Sequence, residues 1–477
     1  MGTFLVDYYG GYLNDSWKIS PKLSVNVGLR YELQTRQREE KNRQASFDYT
    51  PGSPTYGTLV HARDGGHRDE TFSDLDKTNF APRVGLAWQL NQKTVMRGGF
   101  GIFYGGTGFY AISVSGAANP PHFVSIAINS PTTAANTSLK LSDGFPADGL
   151  NPARAINPAL YGQPQDFPQS EIYQADIDVQ RELWRGWVLS IGYVGSGTAK
   201  LRGQNDINAP KPGPGAVQPR RLFLDFGAIN TLSGFAHASY HSLQTKVERR
   251  FGNGFSMLSS YTWSQSIDNS TDGEDTGNGP IIPQNSFDTN AEKGPSGFDV
   301  KHRFVTSNVY DLPFGREGRW LGGSKLARAV FGGFQIGGIL VAQTGQPVNP
   351  GVAGNPANTT NAVRPNRLSD GRLARGERSV DRWFDPAAFA VPAAFTYGSA
   401  GHNVLRAPGL VNLDFLVGRI FRLRETTRLE LRGEFFNLTN TAHFGRPNAT
   451  IGSPQAGRIT GTAVPNRQVQ LGLRLVF

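Results

Sequence analysis

Apolar and polar residues alternate with a period of two along most of this chain, the pattern of strands with two unlike faces. Between positions 23 and 33 the odd residues are Leu23, Val25, Val27, Leu29, Tyr31 and Leu33, against Ser24, Asn26, Gly28, Arg30 and Glu32. Near the end Val469, Leu471, Leu473, Leu475 and Phe477 alternate with Gln468, Gln470, Gly472, Arg474 and Val476. The same spacing marks 82–90, 96–104, 175–179, 189–193, 243–247, 413–417 and 429–435 as strands. The reading gives about thirteen strands in all.

The connections sharpen the picture. Those at 18–22, 91–94, 184–187, 251–254 and 422–427 are tight. Between them lie long polar stretches rich in Gly, Pro and Asn, at 34–79, 105–170, 198–236, 266–301, 345–408 and 441–466. Short and long alternate, except at 313–329, where a medium connection stands in place of a short one. Membrane barrels have short periplasmic turns and long extracellular loops, whereas sandwiches and propellers have no reason to sort loops by length. The expected fold is therefore all-β, an antiparallel up-and-down transmembrane β-barrel.

Chemistry separates the two faces in the same way. The polar parity carries Arg30 and Glu32, Asp176 and Asp178, Lys246, Glu248 and Arg250, and Glu430, Arg432 and Glu434. Opposite charges two residues apart suit a watered lumen. The apolar parity is nearly free of charge through the strand centres, as a lipid-facing surface requires. Trp17, Trp88 and Trp187 fall beside short turns, and Tyr31, Tyr104, Tyr193 and Trp263 toward long loops, which predicts aromatic girdles at both interfaces.

Composition adds exclusions. The absence of Cys rules out disulfides, thiolate metal sites and Cys nucleophiles. No apolar run approaches the length of a transmembrane helix, which says nothing against strands. The net charge of +10 comes from Arg residues spread along the chain, without the basic runs of a nucleic-acid-binding protein. Lumen arginines, or loops facing lipopolysaccharide, account for it. No signal-peptide pattern follows Met1. With the last strand ending in the periplasm, 6–17 becomes a strand running toward the periplasm whose upstream partner is missing. Since single-chain bacterial barrels have even strand numbers, the chain is expected to start mid-barrel, as a fragment or through a misplaced start.

Several segments resemble a known family. Tyr9-Gly10-Gly11-Tyr12-Leu13-Asn14-Asp15-Ser16-Trp17 with LSVNVGLRYE at 23–32 resembles the mid-barrel hairpin of TonB-dependent outer-membrane receptors. MRGGFGIFY at 96–104, YTWSQSID at 261–268, HRFVTSNVYDLPFG at 302–315 and LRGEFFNLTNTAH at 431–443 resemble the Oar-like branch. The resemblance covers the whole chain and implies residues 1–477 to be the carboxy-terminal part of the barrel domain. It further implies a transporter barrel of about 22 strands, an amino-terminal plug absent here, and coupling to the TonB system through that missing region. Lipid, lipopolysaccharide, the barrel assembly machinery and an unidentified large solute are the implied partners. The terminal strand, with Leu473, Leu475 and Phe477, resembles the assembly signal of outer-membrane proteins.

No catalytic constellation is found among the titratable residues, so an enzyme is not expected. The eight His contain no H-E-x-x-H pattern. Gly99-Phe100-Gly101 lacks the third glycine and the βαβ context of a dinucleotide site, and reads as close packing in a strand. Asp268, Ser270 and Asp272, followed by Gly273, match the first half of a calcium loop, but Gly279 stands where the bidentate Glu belongs, so an acidic solvated loop is the competing reading. No cofactor is expected. Cargo contacts are expected on the outer loops, where Trp383, Phe384, Phe389, Phe395 and Tyr397 cluster in sequence with Arg378 and Arg382, unless these residues simply pack the loop. The alternatives to a transporter are a plugless porin-like channel and a β-rich surface adhesin.

Overall fold

A computed structural model describes residues 3–62, 72–105, 116–124, 157–184, 186–252, 254–270, 282–314, 320, 324–423 and 426–477. Its main body is one sheet whose backbone path runs through thirteen long strands in chain order. They are β1 (Tyr8–Ser20), β2 (Leu23–Gln34), β3 (Phe80–Asn91), β4 (Thr94–Gly105), β5 (Ser170–Glu182), β6 (Trp187–Asp206) and β7 (Ile229–Gly252). Then follow β8 (Phe255–Asp268), β9 (His302–Asp311), β10 (Phe334–Gln343), β11 (Leu410–Arg422), β12 (Arg428–Phe436) and β13 (Gln468–Val476). Each pairs antiparallel with its neighbours in sequence.

The register turns thirteen local alternations into two continuous surfaces. Val27 lies opposite Val84, Val84 opposite Phe100, Phe100 opposite Ala175, and Ala175 opposite Gly195. Farther along, Leu340 faces Leu413, Phe415 faces Phe435, and Leu431 faces Leu473. Large apolar side chains on this surface point outward unburied: Ile177, Ile191, Leu243 and Leu471 share a sheet face that no other layer of the described residues covers, with Leu471 78% exposed. A water-soluble sheet would bury such a face, so lipid is the solvent that satisfies it.

Charges on that face gather at its borders. Toward the short turns, Arg249 lies over the rings of Trp187 and Phe255, and Arg419 over Phe334 and Phe421. Asp15, on the edge strand β1, is an exception within a strand, and its carboxylate accepts a hydrogen bond from the indole of Trp17. Polar Ser259 and Thr306 satisfy each other across β8 and β9 at 2.6 Å.

Three connections differ from the expectations. The stretch 198–236 is not all loop, because β6 and β7 continue as a paired ribbon to Asp206 and from Ile229. Residues such as Lys200, Leu201 and Arg202 carry no alternation there, since beyond the membrane neither face needs to be apolar. The strand before 266 likewise extends to Asp268 and pairs with Gly294–Pro295. The irregular connection expected at 313–329 carries a short helix, Lys325–Phe331, that runs two residues past its expected end.

Thirteen strands of alternating direction leave β1 and β13 running the same way. Neither has a partner strand on its outer edge among the described residues.

Candidate functional site

Two regions hold side chains that could meet a solute: the polar face of the sheet and the folded long connections. On the polar face, Arg97, Gln174, Asp176, Asp178, Gln180, Ser190, Gln244 and Lys246 border a recess of about 480 Å³. Arg97 donates to Gln180 at 3.0 Å across β4 and β5. Glycines deepen the wall beside it. A Cβ on Gly99 would stand 3.2 Å from the Asp176 carboxylate, and one on Gly101 would meet the Phe103 ring that covers it, with Arg83 stacked 4.4 Å from that ring. The glycines of the Gly99-Phe100-Gly101 motif thus serve close packing in a strand.

The long connections fold into a crown with cores of its own. Val348, Phe384, Ala388, Phe389, Ala400, Leu405, Ala449 and Ile451 form one core, drawn from the connections 344–409 and 437–467. Small ladders tie it together, Pro347–Val348 with Leu405–Arg406, and Gly351–Val352 parallel to Thr450–Ile451. Phe384 and Phe389 meet edge to face at 6.1 Å. Each fully buried ring stabilises this core by roughly 1.5–3 kcal/mol. A second core joins Phe47, Leu160 and Ile229 with Phe223 and Phe226.

Polar contacts link the crown's loops. Asn358 Nδ2 donates to the carbonyls of Gly213 and Gly215, and Asn361 Nδ2 to that of Pro283, each at 2.8 Å. Arg364 is buried against the equally buried Glu292, and its Nε donates to the Ala400 carbonyl. Arg406 pairs with Asp299 at 2.6 Å. None of these partners is near the other in sequence, so none could be paired by spacing alone.

The expected loop residues are only partly brought together. Arg378 stacks 5.5 Å from the Trp383 ring, whose Nε1 donates to the Arg406 carbonyl. Arg382 is exposed and pairs with Asp385. Phe384 and Phe389 are buried in the crown core, Phe395 is exposed, and Tyr397 is half-buried, its phenol pushed up by burial. Of the calcium-loop residues, Asp268 and Ser270 are buried at the end of β8, whereas Asp272 lies outside the described residues. At the terminal strand Leu473 and Leu475 share the apolar face, and Phe477 is 92% exposed.

His402 was not singled out by sequence. It is 2% exposed, and burial, with the Arg364 charge nearby, lowers its pKa to about 4. The imidazole is therefore neutral in the folded crown at pH 7, with Arg364 as the charge acting on it. The unfolded loop binds a proton near pH 6.5 and the folded one does not until about 4, so crown stability falls as pH drops through that window and levels below it. The loss totals about 3 kcal/mol. Limited proteolysis of the loops between pH 7 and 4 should show it, and H402Q should flatten the profile.

An uncovered apolar band, aromatic borders, a polar opposite face and up-and-down connectivity together define the wall of a transmembrane β-barrel. The chain matches the family model of the outer membrane beta barrel domain over residues 3–470, and it belongs to that family. It is a protein of the bacterial outer membrane. Among solved structures, the ferripyoverdine receptor of the Pseudomonas aeruginosa outer membrane is similar at 9% identity and a TM-score of 0.47, over 100% of this chain and 39% of that one. The siderophore receptor PiuA from Acinetobacter baumannii is similar at 11% identity and a TM-score of 0.46, over 99% and 43%. The outer membrane transporter YddB from Escherichia coli gives 10% and 0.47, over 99% and 54%. The chain thus spans about half or less of the length of these proteins. No curated protein matches the sequence.

Proposed function

We propose that the chain is the carboxy-terminal part of the barrel of a TonB-dependent, Oar-like receptor that moves a large solute across the outer membrane. The observation that carries this reading is the uncovered apolar face continuous over thirteen antiparallel strands, which ends in two edges running the same way. Joined directly, those edges would pair parallel, unlike every other pair of the long strands. An odd number of further strands completes an antiparallel barrel, and an open edge in lipid leaves backbone groups unsatisfied at several kcal/mol each. The mid-barrel and Oar-like motifs favour a receptor over a simple channel.

Solute contacts fall to the crown, where Arg378, Arg382 and Trp383 lie together, and to the polar recess around Asp176 and Asp178. Leu473, Leu475 and Phe477 act as the assembly signal, and the TonB system engages a region outside this chain. Planar-bilayer recording of the full-length gene product tests the reading. A plugged receptor shows no steady conductance in buffer and opens reversibly in mild denaturant. Steady conductance in buffer would instead mean a porin-like channel.

A further inference from the structure

The lipid-facing band carries, at its long-loop border, a group of nitrogen donors that barrel architecture does not require. His241 and Tyr193 stack with ring centroids 6.2 Å apart and planes 25° apart, and the phenol oxygen lies 2.7 Å from Nδ1. Two strands farther along, His302 and Tyr261 repeat the arrangement, at 6.2 Å, 18° and 2.8 Å. Gly195 permits the first pair, because a Cβ there would stand 2.5 Å from the Tyr193 hydroxyl. Between the histidines, on β8, Trp263 is 50% exposed and lies opposite both Leu243 and His302.

Depth places this group at the headgroups. Arg249 and Tyr310 belong to the opposite border, where Phe255 contacts the rings of Trp187 and Tyr310. His241 and His302 are each eight positions along the strand from Arg249 and Tyr310, respectively. That is about 27 Å of strand, or roughly 20 Å of membrane depth at the usual tilt, close to the full apolar band.

The chemistry is one-sided. A phenol O–H is a stronger donor than an imidazole N–H, and with each Tyr hydroxyl donating to Nδ1 it is Nε2 that carries the ring N–H not engaged by tyrosine. Neither Nε2, nor Trp263 Nε1, has a partner among the described residues. Three N–H donors thus face outward from three adjacent strands, over about 10 Å. Leu243, Phe304 and Gln265 are their register neighbours on this face, none of them a carboxylate.

We propose that His241, Trp263 and His302 form a binding site for the phosphorylated sugar headgroup of an outer-leaflet glycolipid of the lipid A type. A phosphate monoester supplies acceptors to a set that offers only donors, and the flanking apolar rings pack the acyl chains below. The site rests on the barrel reading above and on the long loops being extracellular.

The test uses the natural full-length protein and its H241F/W263F/H302F variant, which keeps an aromatic ring at each position. Both are reconstituted in phosphatidylethanolamine vesicles containing bisphosphorylated lipid A, the same lipid stripped of phosphate, or phosphatidylglycerol. Lipid retained after detergent extraction is counted by native mass spectrometry. The expected result is about tenfold more retained bisphosphorylated lipid A than either other lipid, with the preference lost in the variant. Equal retention by the two proteins, or no dependence on the phosphates, overturns the site. Equal retention of phosphatidylglycerol by the natural protein overturns the assignment to glycolipid. Failure of the natural protein to enter vesicles would instead overturn the barrel reading beneath it.

Discussion

Leu471→Arg is expected to reduce outer-membrane assembly sharply, whereas Gln470→Arg, one position away, is tolerated. Leu471 lies opposite Gly433 on the apolar face of β13, and Gln470 opposite Glu434 on the polar face. Arginine facing lipid at mid-depth costs about 2–4 kcal/mol, while on the polar face it meets water and the Glu434 carboxylate. A cost of that size shifts the balance between assembled and unassembled protein by about 30-fold or more. The measurement is the heat-modifiable fraction in outer membranes, with each variant carried in the full-length protein. Equal yields from the two variants would show that the face assignment is wrong.

Arg364→Met is expected to open the crown without affecting the sheet. The substitution leaves Glu292, whose side chain is 1% exposed, as a buried carboxylate without its countercharge. Glu292 would keep only the backbone N–H of Gln284 at 3.0 Å among its described donors. Breaking one side of a buried pair costs about 3–5 kcal/mol. Hydrogen exchange in 283–299 and 355–409 should accelerate, with β7 and β8 unchanged. Combining Arg364→Met with Glu292→Leu removes the orphaned charge and should restore most of the protection. If the single variant leaves exchange unchanged, the ion pair does not hold the crown together.

The sheet was legible in the sequence because lipid on one side and water on the other force a strict alternation. The residues at 23–33, 243–247 and 429–435 show it, and each forms part of a long strand. Where lipid stops, so does the signal: the ribbon beyond Thr198 forms strands without alternating, and its residues have the pattern of a loop. The crown was hidden for a different reason. Its core joins Val348, Phe384 and Ile451, which are far apart in the chain and embedded in Gly- and Pro-rich segments with no periodicity. Arg364 and Glu292 meet across 72 positions, and no local rule pairs them. Phe384 illustrates the limit, since an aromatic beside arginines in a loop has the same local pattern whether it binds cargo or, as here, packs a core.

Residues 1–477 contain no cysteine, so with any cysteine elsewhere in the full-length protein replaced by serine, introduced thiols give a direct measurement of the central claim, that one face of the sheet meets lipid and the other water. Single cysteines are placed at Leu243, Gln244, Thr245, Lys246, Val247 and Glu248 along β7 in the full-length protein, in outer-membrane vesicles. Labelling with a membrane-impermeant maleimide and spin-label accessibility to oxygen are then measured at each position. The expected result is a two-residue alternation: 243, 245 and 247 resist the aqueous reagent and contact lipid-dissolved oxygen, and 244, 246 and 248 do the reverse. Uniform labelling from water at all six positions would contradict the membrane barrel.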